Sequence, residues 1–237
     1  MLVGAESSIQ VHFGRAMPLF ALDTVTLLPQ QALKLHIFEP RYRQMLEHVL
    51  DGSGQFAMAV FSGSGWKQNY HGRPAIRPAV CVGHVIEHQK LADGTYHVLL
   101  QGVCRARIIY ELPPSVDTLY RQAMIEPIGG DEIDQEQLQP VRERLEELLT
   151  GTSLSQLRAA RPVLQFVRNE EVPTSVVMEL VSFTLLNDRE LRYKLLEEGD
   201  PSTRATLIFG ELLSLRTLID RARHQHPELW PKGCSWN

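Results

Sequence analysis

The chain has 237 residues, 43% of them hydrophobic and 22% charged, with a formal net charge of −4. That length allows one large or two small domains with a core, and the negative balance argues against a sequence-independent nucleic-acid binder, which needs a basic excess. Cys81, Cys104 and Cys234 are scattered and form no C-x-x-C pair, which suits a reducing cytoplasm better than a disulfide framework. No apolar run approaches the ~20 residues of a membrane span, and residues 1–16 lack the basic start and apolar stretch of a signal peptide.

In chain order, residues 1–16 are expected to be a weakly ordered extension, because Met17 directly precedes the first strong strand pattern. Leu19, Phe20, Leu22 and Val25 read as a short apolar strand interrupted at Asp23-Thr24. Leu27–Gln31 is a turn. Leu33, Leu35 and Ile37 alternate with Lys34 and His36, the period of a half-buried strand. Pro40 fits a first helical turn, where its missing N–H has no intrahelical partner. Glu39 places a carboxylate at that helix's positive end. Tyr42, Met45, Leu46, Val49 and Leu50 share one helical face, and Asp51–Gly54 ends it.

Phe56–Val60 reads as a strand buried on both sides. Ser62–Pro78, with its glycines, prolines and polar residues, reads as a long exposed loop. Val80–Glu87 and the run before Tyr110 are strands joined through Asp93-Gly94, a hairpin signal that favours a type I′ turn. Tyr120–Pro127 is another strand. From Asp131 the period changes to helical. Leu138, Val141, Leu145, Leu148 and Leu149 form a stripe ended by Gly151. A helical segment at Ser155–Val167 is interrupted by Pro162, Pro173 opens another, Asp188 caps a short one, and Asp200-Pro201 is an N-cap and N1 pair. The tail from residue 225 is expected to be irregular.

The chemistry-bearing motifs are few. There is no G-x-x-x-x-G-K-[ST], no G-x-S-x-G and no H-E-x-x-H, so no enzyme activity, cofactor or metal is expected. Even spacing places His84 and His88 on one strand face, with His97 across the hairpin. Ordinary surface histidines are the simpler reading. His224, His226 and Cys234 fit no standard zinc spacing. Phe38, Glu39, Pro40, Arg41 and Tyr42 are read as a strand-to-helix corner that holds the fold. Trp66 and Tyr70, with Lys67 and Arg73, are the candidate partner contacts, because large aromatics in a polar loop are natural anchors. The alternative is that the aromatics fold back onto the sheet.

The string MPLFALDTVTLLPQQALKLHIFEPRYRQML resembles the opening of the N-terminal domain of ATP-dependent Lon proteases. The later VGHVIEHQKLADGTYHVLLQGVCRARI and LRYKLLEEGDPSTRATLIFGELLSL resemble that domain's hairpin and the end of its helical part, so the likeness covers about residues 18–220. Ala21 and Gln30-Gln31 depart from the pattern where a proline and a glycine turn are frequent. The resemblance implies an α+β chain: a PUA-like, mostly antiparallel β subdomain with one helix over 17–129, then a helical bundle over 130–224 and the tail, 225–237. It implies a cytoplasmic, bacterial stand-alone copy of the substrate-recognition domain, without the ATPase and protease that follow it in Lon. The partners implied are proteins or unfolded polypeptides, together with oligomer contacts. The competing class is RNA binding, since PUA-like folds include RNA readers and the Lys67–Arg77 loop joins basic residues to aromatics; the acidic net charge disfavours nucleic acid.

Overall fold

A computed structural model describes residues 9–70, 72–130 and 135–224. It is an α+β structure whose elements are β1 (Met17–Leu22), β2 (Ala32–Ile37), α1 (Pro40–Leu50), β3 (Gln55–Val60), β4 (Ala79–Lys90), β5 (Tyr96–Glu111), β6 (Arg121–Pro127), α2 (Gln139–Gly151), α3 (Ala160–Arg168), α4 (Thr174–Thr184), α5 (Arg189–Glu197) and α6 (Pro201–His224). Two compact units arise. One holds the described residues up to Gly130 together with Asp188–Gly199, and the other holds 135–187 and 200–224.

The sheet runs β2-β5-β4-β3-β1-β6, and a further pairing of β5 with β6 closes it into a barrel. All pairings are antiparallel except β1 with β3. Alternation sorts the side chains. Met17, Leu19, Ala21, Ala57, Ala59, Phe61, Val80, Val82, Ala106, Ala123 and Ile125 form one buried cluster; its many alanines suit a narrow, closed sheet. Phe20, Phe56 and Met58 point the other way, and Phe20 meets Tyr42 of α1 at 4.2 Å between ring centroids. Of the expected α1 face, Tyr42, Met45, Leu46 and Val49 are buried, while Leu50, in the last turn, is half-buried.

Three expectations are corrected here. Val11 and Phe13 pack against the buried cluster, and Gln55 Nε2 donates to the Gln10 carbonyl at 2.8 Å, so residues 9–16 are docked; residues 1–8 lie outside the described residues. The Asp93-Gly94 turn is not type I′, because only Gly94 has positive φ (79°). Leu91 N–H instead bonds the Thr95 carbonyl, and the Asp93 carboxylate accepts from Thr95 N and Oγ1 at 3.0 and 2.7 Å. Finally, Asp188–Gly199 groups with the sheet. Tyr193, 1% exposed, accepts a 2.7 Å hydrogen bond from Ala79 N–H through its hydroxyl, and Arg105 donates to the Leu195 carbonyl.

The turn before β2 holds a departure of energetic interest. Gln30 is the single described non-glycine residue with positive φ, at 67°. Its N–H bonds the Gly102 carbonyl, and Gly102 N–H bonds the Gln31 carbonyl, so the strained residue is fixed on β5. A left-handed side-chain residue costs about 1 kcal/mol relative to glycine. Gln30→Gly should therefore raise the unfolding free energy by up to about 1 kcal/mol in a urea titration; a loss would show that the Gln30 side chain stabilises the turn.

In the helical unit, Pro162 sits in the first turn of α3, where the missing N–H is tolerated. Leu145, Leu148 and Leu149 of α2 are buried, with Val163 and Val167 of α3, Val177 and Val181 of α4, and Ile208 and Leu212 of α6. Asp200 caps α6 by accepting from Thr203 N at 2.7 Å. Among the described residues, no helix is long and apolar enough to cross a membrane. The expected irregular tail, 225–237, lies outside the described residues.

Candidate functional site

The loop from Ser62 to Pro78 is closed at its neck. Phe61 bridges Ile76, Ser62 N–H bonds the Ala75 carbonyl, and Arg77 N–H bonds the Val60 carbonyl. Inside it, a 3₁₀ turn at Gly65–Asn69 turns both aromatics inward. Trp66 lies flat on Phe61, with centroids 5.0 Å apart and planes 6° from parallel. Tyr70 meets both rings edge-on, at 6.1 and 5.8 Å. Both are half-buried against the sheet cluster, so the fold-back reading describes their position.

The strand-to-helix corner reaches the same place. Glu39 is the N-cap of α1 but makes no side-chain cap bond. Its carboxylate accepts instead from Arg41 Nε at 3.0 Å and from the Tyr70 hydroxyl. The Arg41 guanidinium sits between the Tyr42 ring (4.6 Å) and the Tyr70 ring (4.7 Å). Corner and loop are thus one polar-aromatic assembly. Pro40 opens α1 as expected. Phe38 differs, being 60% exposed and meeting only the His36 ring, at a tilt of 47° and 5.7 Å between centroids, among the described aromatics.

Burial and the loss of hydration push the Tyr42 phenol up to about 12, and its hydrogen bond to the Ala21 carbonyl (3.2 Å) only partly offsets this. A phenol whose folded pKa is raised contributes stability that is complete below the unfolded value, ~10, and is lost as pH rises through the folded one. Stability should therefore fall between pH ~10 and about 12, and Tyr42→Phe should flatten that fall. An unchanged alkaline profile in the variant would assign the loss to other groups.

Beside this assembly is a groove of about 230 Å³, with Leu19 and Tyr42 among its lining, Arg41 and Arg73 on one side, and Leu119 and Arg121 on the other. Glu111 fixes both sides. It accepts two bonds from Arg121, at 2.7 and 2.5 Å, and one from Arg73 at 3.1 Å, while Arg121 also reaches the Pro74 carbonyl at 2.7 Å. Burial alone would raise the Glu111 carboxyl, but the two arginines hold it below its usual value. Leu119 (62% exposed) stands on the rim, and Val116 (98%) in the adjoining loop. Neither was singled out in the sequence, because isolated leucines and valines in a loop carry no pattern.

The Cys81 side chain is buried, and burial pushes the Cys104 thiol up to about 11. Among the described residues, no group of three or more His, Cys, Asp and Glu is placed to hold a metal. The histidine expectation changes as well. A bulge between Val85 and Glu87 shifts the register, so His84 faces Gln101 while His88 faces Val98; the two lie on opposite faces despite their even spacing. His97 stands opposite His36, at 5.2 Å between rings. Cys234 and His226 lie outside the described residues, as does the side chain of His224.

Several solved structures share this fold. One is the "N terminal domain of Mycobacterium avium complex Lon protease", with a TM-score of 0.64, 14% identity, and 84% of this chain and 98% of that chain covered. Another is the "Lon N-terminal domain protein from Xanthomonas campestris", with a TM-score of 0.56, 20% identity, and 83% and 98% covered. No curated protein matches the chain in sequence. The family model described as the ATP-dependent protease La (LON) substrate-binding domain matches residues 16–214. This match spans most of the chain, from before β1 into α6, and the chain belongs to the LON substrate-binding domain family.

Proposed function

We propose that the chain is a non-catalytic, cytoplasmic polypeptide-binding module, an adaptor in protein quality control, and that the groove between the 62–78 and 112–121 loops is where it takes hold. The observation that carries this reading is the groove itself: buried Leu19 and Tyr42 beneath, exposed Leu119 on its rim, and both walls pinned by one carboxylate. Exposed apolar side chains beside a preformed concavity suit extended segments of unfolded chains. Tyr70 holds Arg41 in place with Trp66 packed against it, Arg73 is part of the wall, and exposed Lys67 lies 5.6 Å over Trp66.

The same geometry disfavours RNA. Arg73 is held by Glu111 and the Leu112 carbonyl, and Arg77 by Glu190, which leaves Lys67 to meet a phosphate. In the test, Val116→Ser with Leu119→Ser should weaken capture of a cysteine-alkylated, permanently unfolded polypeptide by about fivefold or more. Stability should stay within about 0.5 kcal/mol, as for exposed positions. Unchanged capture would remove the groove from the account, and steeply salt-dependent binding of single-stranded RNA would favour the other class.

A further inference from the structure

We propose that a second, polar cleft in the barrel unit binds the carboxy-terminal end of a polypeptide chain. The cleft is about 500 Å³ and is built by three separated segments: Asp23, Thr24 and Thr26 after β1, Ser62 and Gly63 after β3, and the first turn of α5 with Arg189. Arg77 and Tyr193 complete its lining. Arg77 is immobilised there, bonded to both Glu190 carboxylate oxygens at 3.0 and 2.9 Å and stacked 3.3 Å over the Tyr193 ring.

Three groups remain unmatched among the described residues. Thr26 is 7% exposed and lines the cleft, yet its hydroxyl has no hydrogen-bond partner in the protein. Arg189 is exposed, with no carboxylate within ion-pair reach, and Asp23 has no cation. Arg189 also lies at the positive end of α5, where Asp188 caps the Leu191 N–H at 2.6 Å and the helix dipole favours an anion. Gly63, at φ 68°, leaves open space where a side chain would stand.

A cation, an unpaired hydroxyl and a nearby carboxylate define the ligand. Asp23 and Glu190 repel a dianion, which disfavours a phosphate. A chain end carries a single negative carboxylate and, one carbon away, an amide N–H. Arg189 and Thr26 match the carboxylate and Asp23 matches the N–H, a charge-assisted pairing that a side-chain amide or an internal peptide cannot reproduce. The inference rests on the polypeptide-binding reading, but it concerns a different site, so the two can fail separately.

The test uses the full chain, isotopically labelled, and follows amide shifts at Ser62, Gly63 and Arg189. The probes are an N-acetyl dipeptide as its free acid, the same dipeptide as its carboxamide, and acetate. The free acid should shift these amides and bind about tenfold more tightly than the carboxamide. Arg189→Gln, at an exposed position, should remove that preference, as should the near-isosteric Thr26→Val in part. Equal binding of acid and carboxamide, no shift with either, or an unaltered preference in Arg189→Gln would overturn the proposal. Acetate binding as tightly as the dipeptide acid would reduce the site to one for small anions and overturn it too. Val116→Ser with Leu119→Ser should leave dipeptide binding unchanged, which separates this result from failure of the groove.

Discussion

Replacing Arg142 with alanine should destabilise the helical unit by about 3–5 kcal/mol. Arg142 is on α2 and only 7% exposed, and no carboxylate forms an ion pair with it among the described residues. Its guanidinium is solvated by the protein. It donates to Val167 and Asn169 carbonyls at 2.6 and 3.1 Å, to the Val172 carbonyl, and to Thr174 Oγ1 at 3.1 Å. These acceptors are the carbonyl end of α3, the connection after it, and the first residue of α4. One planar cation thus adds donors to a helix end where backbone N–H groups reach only the Phe166 and Asn169 carbonyls, with the favourable sign for the dipole. Alanine would strand those carbonyls in a buried site. Lysine keeps the charge but cannot span four acceptors with one ammonium, so Arg142→Lys should recover only part of the loss. Urea unfolding of the two variants checks this. A cost below about 1 kcal/mol for alanine would mean that water replaces the guanidinium and that the α3–α4 connection does not depend on it.

Arg142 also marks where sequence reading stops. On a helical stripe an arginine reads as solvated, and nothing local reveals that the carbonyls after α3 fold back over it. What was legible was set by short-range chemistry. Pro40 opened α1, and Asp188 and Asp200 capped their helices, whereas Pro162, expected to interrupt a helix over Ser155–Val167, falls in the first turn of α3, which starts only at Ala160. The hairpin at Asp93-Gly94 was in place, but its turn type was not, because the Asp93 carboxylate bonds Thr95 instead of leaving the residue to adopt positive φ. Pairing between distant strands was out of reach. The parallel β1–β3 ladder and the closure through β6 depend on contacts between segments whose own alternation is the same in any sheet. The site divides the same way. Trp66 and Tyr70 were visible as large aromatics in a polar loop, whereas their direction depended on Phe61, at the end of another segment. His84 and His88 illustrate the converse, since their even spacing on β4 suggested one face but a bulge between Val85 and Glu87 parts them.

Tyr193→Ala should cost about 3–5 kcal/mol, and the loss should register in the barrel unit. A helical stripe says that a residue is buried without saying against what, and the α5 pattern reads naturally as one more helix of the bundle. Its tyrosine decides otherwise. The side chain is 1% exposed and among the largest fully buried ones. Its hydroxyl takes the Ala79 N–H at the first residue of β4, and its ring carries the Arg77 guanidinium. Removing the ring leaves a cavity, an unpaired strand N–H and an arginine without its stacking surface. Tyr193→Phe keeps the volume and loses only the acceptor, so it should cost about 1–2 kcal/mol. Hydrogen exchange supplies the discriminating measurement. Ala79 and Val80 amides should lose protection in both variants, and more in the alanine one, while amides of α2 and α4 should change less. If protection instead falls first in α2 and α4, the barrel does not depend on α5 and the assignment of Asp188–Gly199 to that unit is wrong. If it falls as expected, the Arg77–Tyr193 wall of the carboxylate cleft is a product of folding the barrel unit itself, and chain-end binding should weaken in step with the loss of that wall.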